Sequence, residues 1–377
     1  MCIIHQIVSS ANTDKIKFLC YGFDMKPKKK VFVMMSGGVD SSVTAALLSK
    51  KRNFAVSGIF MKNWEGGEQC QWAQDEQDAR RVAAKIGISF YVLNFEKEYR
   101  ALVFEPFLQG ITQGMTPNPD VFCNQEIKFG VFLARALALG ADMVATGHYA
   151  RVKKTKNGVY KLCKSKDKHK DQTYFLYRLN QFQLSKILFP LGNYTKTEVR
   201  ARAKEFSLPT FDKPDSQGIC FVGEMPFDTF LAQYIPLRQG EILDKKGNKL
   251  GVHQGAAFYT IGQRKGLGIG GVQEPLYLAK KDMETNTLTV TKEYDPLLYT
   301  KSAGVTNLHW VSGSAPKDKQ STIQVRFRHQ QPFQRAKISL SKEVAHILFS
   351  RSQRAITPGQ SAVFYKGNEI LGGGIIS

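Results

Sequence analysis

Residues 31–43 read VFVMMSGGVDSSV, and this stretch decides the fold of the first half of the chain. The apolar run VFVMM predicts a buried strand, and VTAALL after the glycines predicts a helix. Glycines let the backbone adopt positive φ and approach a ligand closely. The start of a helix adds N–H groups and partial positive charge, which attract an anion. Two interpretations follow: a tight strand-to-helix turn or a phosphate-binding loop.

The first half of the chain alternates strand-like apolar runs with helical patterns. This alternation predicts a Rossmann-like α/β domain in which a parallel sheet carries helices on both faces. Ligands bind such sheets at the carboxyl ends of the strands, so we expect residues 36–38, Met61 and residues 146–148 to share one rim. The predicted strands span 31–35, 55–61, 89–95 and 141–150, and the predicted helices begin near Ser41 or span about 75–87, 97–108 and 125–139.

After about residue 220 the pattern changes to short strands separated by glycine turns. Examples are GEILDKKGNKLG, FYTIGQRKGLGIGG and STIQVRFRHQ. Such segments are typical of small β-domains, so we expect a small central β-rich domain followed by a C-terminal β-barrel. The expected boundaries are 1–30 for an N-terminal extension, 31–220 for the catalytic α/β domain, 221–290 for the central domain and 291–377 for the barrel.

The chain carries 53 Lys and Arg against 32 Asp and Glu, a formal net charge of +21. This excess favours a polyanionic partner such as nucleic acid, although a general basic bias of the proteome would also produce it. Residues 151–170 hold nine Lys or Arg and one acid around an Asn157-Gly158 hairpin turn, which favours a binding surface. We find neither a secretory pattern nor a membrane-spanning run, so we expect a soluble cytoplasmic protein.

Six cysteines, at positions 2, 20, 70, 123, 163 and 220, include no C-x-x-C pair, which argues against a zinc ribbon or a thioredoxin motif.

Cys123 stands just before a predicted helix, whose N-terminus would lower its pKa, and Asp120 lies three residues earlier. Cys220 falls in a predicted loop. Two thiols in polar loops suit sulfur transfer, in which one carries a persulfide and the other resolves it through a disulfide. The alternative is that both are structural.

SGGVDSS at 36–42 lacks the lysine of an ordinary P-loop. It resembles the SGGxDS signature of the PP-loop ATP pyrophosphatases, which cleave ATP between the α- and β-phosphates and activate an oxygen as an adenylate.

The full set of motifs, in this order, is similar to the tRNA-specific 2-thiouridylase family (MnmA/TrmU). The resemblance runs from about Lys29 to the C-terminus and rests on SGGVDSS (36–42), TPNPDVFCN (116–124), ATGHYA (145–150), KDQTYFL (170–176), DSQGICF (215–221), TIGQRKGLGIGG (260–271) and PGQSAVFY (358–365).

This resemblance implies an enzyme that uses ATP and Mg²⁺ to convert the wobble uridine of tRNAs for Lys, Glu and Gln into 2-thiouridine. ATP would adenylate the oxygen at carbon 2, and sulfur would then displace AMP. The implied partners are the anticodon region of tRNA, gripped in part by the barrel, and a sulfur-relay protein or cysteine desulfurase that donates a persulfide. We expect a monomer with no membrane partner.

The resemblance also assigns roles to individual residues. Cys220 would carry the persulfide, and Cys123, with Asp120 beside it, would be its nucleophilic partner. The target base would contact Asn118, Pro119 and Asp120. ATP would be bound by Ser36, Gly37, Gly38, Val39, Asp40, Ser41, Met61 and Gly147. Transfer RNA would be contacted by His148, Lys170, Asp171, Gln172, Arg326, Phe327 and Gln360.

Three other classes of protein share part of this pattern. A PP-loop amide-forming ligase, such as an NAD, GMP or argininosuccinate synthase, would have SGGVDSS but would need neither two loop cysteines nor the basic charge. A 4-thiouridine synthase usually carries an additional RNA-binding region before the PP-loop, where 35 residues precede Ser36 here. A non-catalytic RNA-binding protein would explain the charge but would not cleave ATP.

Overall fold

The computed structural model describes residues 27–64, 72–215, 225–271, 273–316 and 320–377. The strands are β1 (Lys29–Met34), β2 (Phe54–Lys62), β3 (Ser89–Asn94), β4 (Met143–Ala145), β5 (Ala150–Lys154), β6 (Tyr160–Lys164), β7 (Ile187–Leu188), β8 (Gly240–Leu243), β9 (Lys249–His253), β10 (Leu276–Asp282), β11 (Thr287–Lys292), β12 (Tyr299–Trp310), β13 (Gln320–Arg326), β14 (Gln334–Ser341), β15 (Val344–Arg354), β16 (Ser361–Lys366) and β17 (Glu369–Ile376). The helices are α1 (Val39–Ser49), α2 (Trp72–Ile86), α3 (Glu96–Tyr99), α4 (Glu105–Thr112), α5 (Pro119–Phe122), α6 (Phe132–Ala138), α7 (Gln181–Lys186), α8 (Lys196–Glu205) and α9 (Phe227–Leu231).

Five strands of the first half form one parallel sheet in the order β3-β2-β1-β4-β7. Val31 and Val33 of the central strand are fully buried, as expected for a parallel sheet covered on both faces. Because β1, β2 and β4 run in the same direction and in register, the chain leaves all three at one rim. The predicted common rim for residues 36–38, Met61 and residues 146–148 is therefore confirmed.

Helices cover both faces of this sheet and enclose two apolar cores. One core packs α1, α2 and α8 against the sheet through residues such as Val43, Val82 and Val199. The other core packs the helical stretches between residues 96 and 138 against the opposite face. Those stretches are nearly continuous, because π-helical turns at Arg100–Phe104 and Cys123–Val131 join α3 to α4 and α5 to α6.

The second half consists of β-structure, as the sequence predicts. A central four-stranded sheet has the order β10-β11-β8-β9 and its own small core around Leu278 and Leu288. Strands β12 to β17 then close into a six-stranded barrel, because β12 pairs with both β15 and β17. The segment FYTIGQRKGLGIGG differs from the prediction: its described residues form no strand, and a short 3₁₀ turn at Ala256–Phe258 leads into irregular backbone.

The basic hairpin is an extension of the barrel. Strands β5 and β6 pair with each other, and β6 then pairs with β17 through Cys163 opposite Glu369 and Leu162 opposite Ile370. Gly158 has φ +81° at the turn that Asn157-Gly158 predicts. The Lys-rich surface of residues 151–170 is thus continuous with the C-terminal domain. Among the described helices, none combines the length and apolarity needed to cross a membrane.

Candidate active site

The loop between β1 and α1 leaves the start of the helix open to a ligand. Gly37 has φ +73°, and Gly38 caps α1 in an extended conformation without a side-chain hydrogen bond. The first N–H groups of a helix have no acceptor within the helix. The Ser41 hydroxyl, which accepts a hydrogen bond from Ser36 N–H at 3.1 Å and donates to Gly38 O at 3.0 Å, fixes the loop. This geometry suits a phosphate group.

Glycine is required at two places around this loop because other backbone lies against it. A Cβ on Gly37 would stand 2.3 Å from the carbonyl oxygen of Asp75. A Cβ on Gly147 would stand 2.9 Å from Asp40 C and from Ser41 N. Gly147 therefore packs directly on the start of α1, and the ring of the next residue, His148, packs with Phe129 and Phe189.

Asp40 forms an ion pair with Lys196, which also contacts Asp215. Lys196 Nζ lies 2.8 Å from both carboxylate oxygens of Asp40 and 2.7 Å from Asp215. Burial opposes ionisation of Asp215, but hydrogen bonds from Lys170 and Lys196 outweigh it and lower the pKa of Asp215 to about 2. Burial and the Asp40 charge raise the pKa of Tyr149, whose hydroxyl donates to Asp40 at 2.9 Å. These contacts indicate that Asp40 orients the loop.

The segment from Thr210 to Asp215 contacts both helices that flank the loop, α1 and α2. Thr210 Oγ1 donates to Ser42 Oγ at 3.0 Å, and Lys213 forms ion pairs with Asp75 and Asp78 of α2. The chain continues from this segment toward Cys220. Cys220 itself lies outside the described residues, as do Cys70 and the first 26 residues.

A second site element is the helix that carries Asp120 and Cys123. Asn118 caps α5, and its side-chain oxygen accepts hydrogen bonds from the N–H groups of Asp120 and Val121. The prediction that Cys123 precedes the helix is wrong, because the cap lies five residues earlier. Cys123 is buried inside the helical stretch, and its N–H already bonds to Asp120 O and Pro119 O. The N-terminal argument for a lowered thiol pKa therefore does not hold at this position.

Asp120 and His148 share one basic neighbour. Burial raises the pKa of Asp120 above its ordinary value, while the charges of Lys128 and His329 oppose that rise. Desolvation lowers the pKa of His148 well below its ordinary value, and the Lys128 charge lowers it further. A raised pKa makes a carboxyl a better base and allows it to hold a proton at higher pH than an ordinary carboxyl. Lys128 thus connects the rim at His148 to the helix of Asp120 and Cys123.

The barrel closes the site from the other side. Thr116 N–H donates to Pro358 O at 2.9 Å, and Gln360 Nε2 donates to Thr116 O at 2.7 Å. His329 of the barrel bonds to Asp171 O at 2.8 Å. The TPNPD loop, the KDQ loop and the barrel therefore meet beside the helix that carries Asp120 and Cys123.

The residues predicted to contact tRNA fall into two groups. Lys170 and Arg326 form the first group and are partly exposed. Lys170 pairs with Asp215 at 2.6 Å, and Arg326 lies over the Phe333 ring at 3.9 Å. Asp171 and Phe327, in contrast, are only 3% and 2% exposed. Their side chains are part of the scaffold, so direct contact of these two side chains with tRNA is not favoured. Gln172 accepts a hydrogen bond from Tyr149 N–H through its side-chain oxygen.

Sequence reasoning missed Lys196, Tyr149 and Lys128. Lys196 opens α8 directly after the cap residue Thr195, and no local signal links it to Asp40, 156 residues away. Tyr149 lies within the quoted ATGHYA motif, so its place on the rim could have been inferred. Cys163 is buried in β6, and burial raises its pKa, which is consistent with a structural thiol.

Three family models match the chain. They are described as a "tRNA methyl transferase HUP domain" over residues 29–224, a "tRNA methyl transferase PRC-barrel domain" over residues 228–292 and an "Aminomethyltransferase beta-barrel domain" over residues 300–376. A solved structure, the U34-tRNA thiolase NcsA from Methanococcus maripaludis, matches 52% of this chain and 62% of that chain at 21% identity, with a TM-score of 0.36. That structural likeness is too low to support an inference.

Two curated relatives match almost from end to end. The tRNA-specific 2-thiouridylase MnmA of Methylobacillus flagellatus is 52% identical over 359 residues, which cover 93% of this chain and 99% of that protein. The protein of the same name from Francisella tularensis subsp. novicida is 49% identical over 357 residues, which cover 92% of this chain and 99% of that protein. With this identity over all three domains, the chain belongs to the tRNA-specific 2-thiouridylase (MnmA) family.

Proposed function

We propose that this protein is a tRNA-uridine 2-sulfurtransferase. It converts the wobble uridine of tRNAs for Lys, Glu and Gln into 2-thiouridine, consumes ATP and releases AMP and pyrophosphate. Membership of the 2-thiouridylase family supports thiolation of tRNA, and the architecture of the site supports the finer steps. The observation that carries them is the packing of Gly147 against Asp40 and Ser41 at the start of α1, together with the Lys128 charge that acts on both His148 and Asp120.

ATP fits the first part of this row. The positive φ of Gly37, the uncapped start of α1 and the close approach of Gly147 leave backbone N–H groups for a phosphate chain. Lys196 holds the Asp40 carboxylate in place behind the loop through an ion pair. In the proposed reaction the uridine oxygen at carbon 2 attacks the α-phosphorus, and pyrophosphate leaves. Fixed donors that already point at the phosphates stabilise this developing charge.

Magnesium would be held mainly by the phosphates of ATP. Within the described ranges, no group of three or more His, Cys, Asp or Glu side chains could hold a metal ion. Asp40, the acid nearest to the loop, is occupied by Lys196 and Tyr149. This donor set fits Mg²⁺ bound through substrate phosphates, its common arrangement in nucleotide sites. Its chemistry would be to neutralise charge on the leaving pyrophosphate.

Sulfur transfer is proposed for Cys123 and Cys220. The terminal sulfur of a Cys220 persulfide bonds to carbon 2, and AMP leaves with the original oxygen. The Cys123 thiolate then attacks Sγ of Cys220, which breaks the persulfide bond, leaves sulfur on the base and forms a Cys123–Cys220 disulfide. A thiol reductant returns both cysteines to thiols. In the alternative route, attack by Cys123 releases sulfide first, and that sulfide displaces AMP.

Asp120 is proposed to handle protons in these steps. Burial raises its pKa above the ordinary value, which favours exchange of a proton by this carboxyl. It lies one turn from Cys123 on the same helix, so it is suited to accept the thiol proton or a proton from the base. Asn118 uses its side-chain oxygen as the helix cap, which leaves its amide N–H groups to recognise a pyrimidine.

A wobble base has to leave the anticodon stack before it can enter such a site. We assign the grip on the tRNA backbone to the basic hairpin and the adjoining barrel, which share one continuous sheet. The net charge of +21 supports a binding mode dominated by phosphate contacts.

The proposed activity is tested through its nucleotide products. Protein, radiolabelled ATP and a persulfide donor are incubated with tRNA for Lys or with the same tRNA carrying cytidine at the wobble position. AMP and pyrophosphate formation that requires the wobble uridine is the expected result. Equal release of AMP with a small amine and no tRNA would instead assign the site to an amide-forming ligase.

A further inference from the structure

The barrel holds the catalytic loop by both backbone groups of one residue. Thr116 donates its N–H to Pro358 O at 2.9 Å and accepts a hydrogen bond from Gln360 Nε2 at 2.7 Å. Gln360 is 244 residues away in sequence. Gly359, between the two partners, has φ +87°, and a Cβ there would stand 2.7 Å from Thr116 N. Close backbone contact at this junction therefore depends on glycine.

The connection from Thr116 to the catalytic helix is short and stiff. Pro117 and Pro119 each fix one backbone dihedral, and Asn118 between them caps the helix. Pro117 is buried against Gly110, where a Cβ would lie 2.6 Å from its ring. A shift of Thr116 is therefore transmitted to the start of the helix that carries Asp120 and Cys123.

The barrel end of the junction is equally well fixed. Gly359 N–H donates to Ile376 O, and Ile376 N–H donates to Gln360 O, both at 2.9 Å. One nitrogen of Arg328, beside the surface assigned to tRNA, lies 3.1 Å from Thr357 Oγ1 and 3.1 Å from Ile261 O of the central domain. The Pro358–Gln360 turn is thus the point where the barrel contacts the catalytic loop, and Arg328 joins the residue before this turn to the central domain.

We propose that Gln360 is a positioning residue: through Thr116 it sets the place of the Asp120–Cys123 helix, so that the C-terminal barrel, once engaged by tRNA, determines the geometry of the catalytic thiol. This inference rests on the proposed function for its consequence in catalysis. In this proposal the Gln360 side chain bonds to the protein's own backbone and does not contact the RNA.

The test uses the full chain with Gln360→Ala and the isosteric Gln360→Glu, which both lack the amide donor. Gln334→Ala is the matched control, because the Gln334 amide bonds to Pro332 O within the barrel. Hydrogen exchange of peptides that cover residues 116–123 is measured without tRNA, together with melting temperature, tRNA affinity and the kinetics of thiolation.

In both Gln360 variants, the amide hydrogens of residues 116–123 are expected to exchange faster than in wild type. The kcat for thiolation is expected to fall about 3- to 10-fold, the effect of losing one hydrogen bond. Their tRNA Kd and melting temperature are expected to stay near those of wild type and of Gln334→Ala. Unchanged exchange, or a raised tRNA Kd with unchanged kcat, would overturn the proposal and return Gln360 to RNA contact. Because exchange needs no product, this result is independent of whether 2-thiouridine is formed.

Discussion

Lys196 lies 2.8 Å from both carboxylate oxygens of Asp40 and 2.7 Å from Asp215, so one ammonium group joins the phosphate loop to the segment that leads toward Cys220. Lys170 and Arg200 contact the same Asp215 carboxylate. A chain of charges thus connects the loop after β1, the KDQ loop and the segment that ends at Asp215. This arrangement gives the first prediction.

Replacing Lys196 with Met removes the centre of that chain. Asp40 and Asp215 lose their shared cation, and the start of α1 loses its support. Hydrogen bonds to charged groups contribute more stabilising free energy than bonds between neutral groups. We therefore expect kcat/KM for ATP to fall about 10- to 100-fold. Lys204→Met on the same helix is the control, since Lys204 is exposed and distant from Asp40. Equal kinetics for both variants would show that the Lys196 ion pairs have no role in nucleotide use.

Gly37→Ala should abolish ATP binding through a backbone clash. The new Cβ would lie 2.3 Å from Asp75 O, and φ is +73°. Gly87→Ala is a matched control, because Gly87 has φ +71° and open space around it. Both variants carry the strain of positive φ, about 1 kcal/mol, but only Gly37→Ala carries the clash. Calorimetric titration with ATP should show binding for Gly87→Ala alone, and binding by both would contradict a close-packed loop.

Asp120→Asn should raise stability at neutral pH while it removes activity. Burial raises the folded-state pKa of Asp120, so its stabilising contribution is full below the unfolded pKa of about 4 and is lost as pH rises through the folded pKa. The Asn side chain does not ionise, so the variant does not lose this stabilisation as pH rises. The difference in unfolding free energy between variant and wild type should therefore grow as pH rises above about 4. Urea unfolding from pH 4 to 8 measures it.

The exposed Asp212→Asn serves as the control for this series, since Asp212 lies on the surface away from the helix. The pH dependence of Asp120→Asn is compared with that of this variant. A destabilised Asp120→Asn variant at pH 7 would mean that Lys128 and His329 outweigh burial, contrary to the raised pKa.

The basic hairpin should supply phosphate contacts. Lys153 and Lys154 are exposed on β5, so the double charge reversal to Glu should weaken tRNA binding and reduce the slope of log K against log salt by about 1 per lost contact. The control reverses Lys51 and Lys85, which are exposed at the opposite rim of the sheet. Equal loss of affinity for both pairs would attribute binding to net charge alone.

The sequence predicts the sheet rim well because strand, glycine and helix signals are local. The run VFVMM, the pair Gly37-Gly38 and the parallel alternation suffice to bring residues 36–38, Met61 and Gly147 together. The capped helix begins earlier than periodicity suggests, because Asn118 and Pro119 form a cap and first turn inside a stretch that looks like a loop.

Long-range relationships could not be predicted from one sequence. The pairing of β6 with β17 joins segments about 200 residues apart, and the side chains involved have ordinary strand character. The bonds of Lys196 to Asp40 and of Gln360 to Thr116 depend on how separate elements dock. The burial of Phe327 and Asp171 likewise follows from docking, so their place in a family motif alone could not reveal it.

The central claim is that two thiols deliver sulfur to an ATP-activated uridine, and nucleoside mass analysis of tRNA tests it most directly. Wild type, Cys123→Ser, Cys220→Ser and the buried-thiol control Cys163→Ala are incubated with tRNA, ATP, Mg²⁺ and a persulfide donor. We predict ATP-dependent 2-thiouridine with wild type and Cys163→Ala, and none with Cys123→Ser or Cys220→Ser. Undiminished 2-thiouridine from either of these two variants would contradict the two-thiol account.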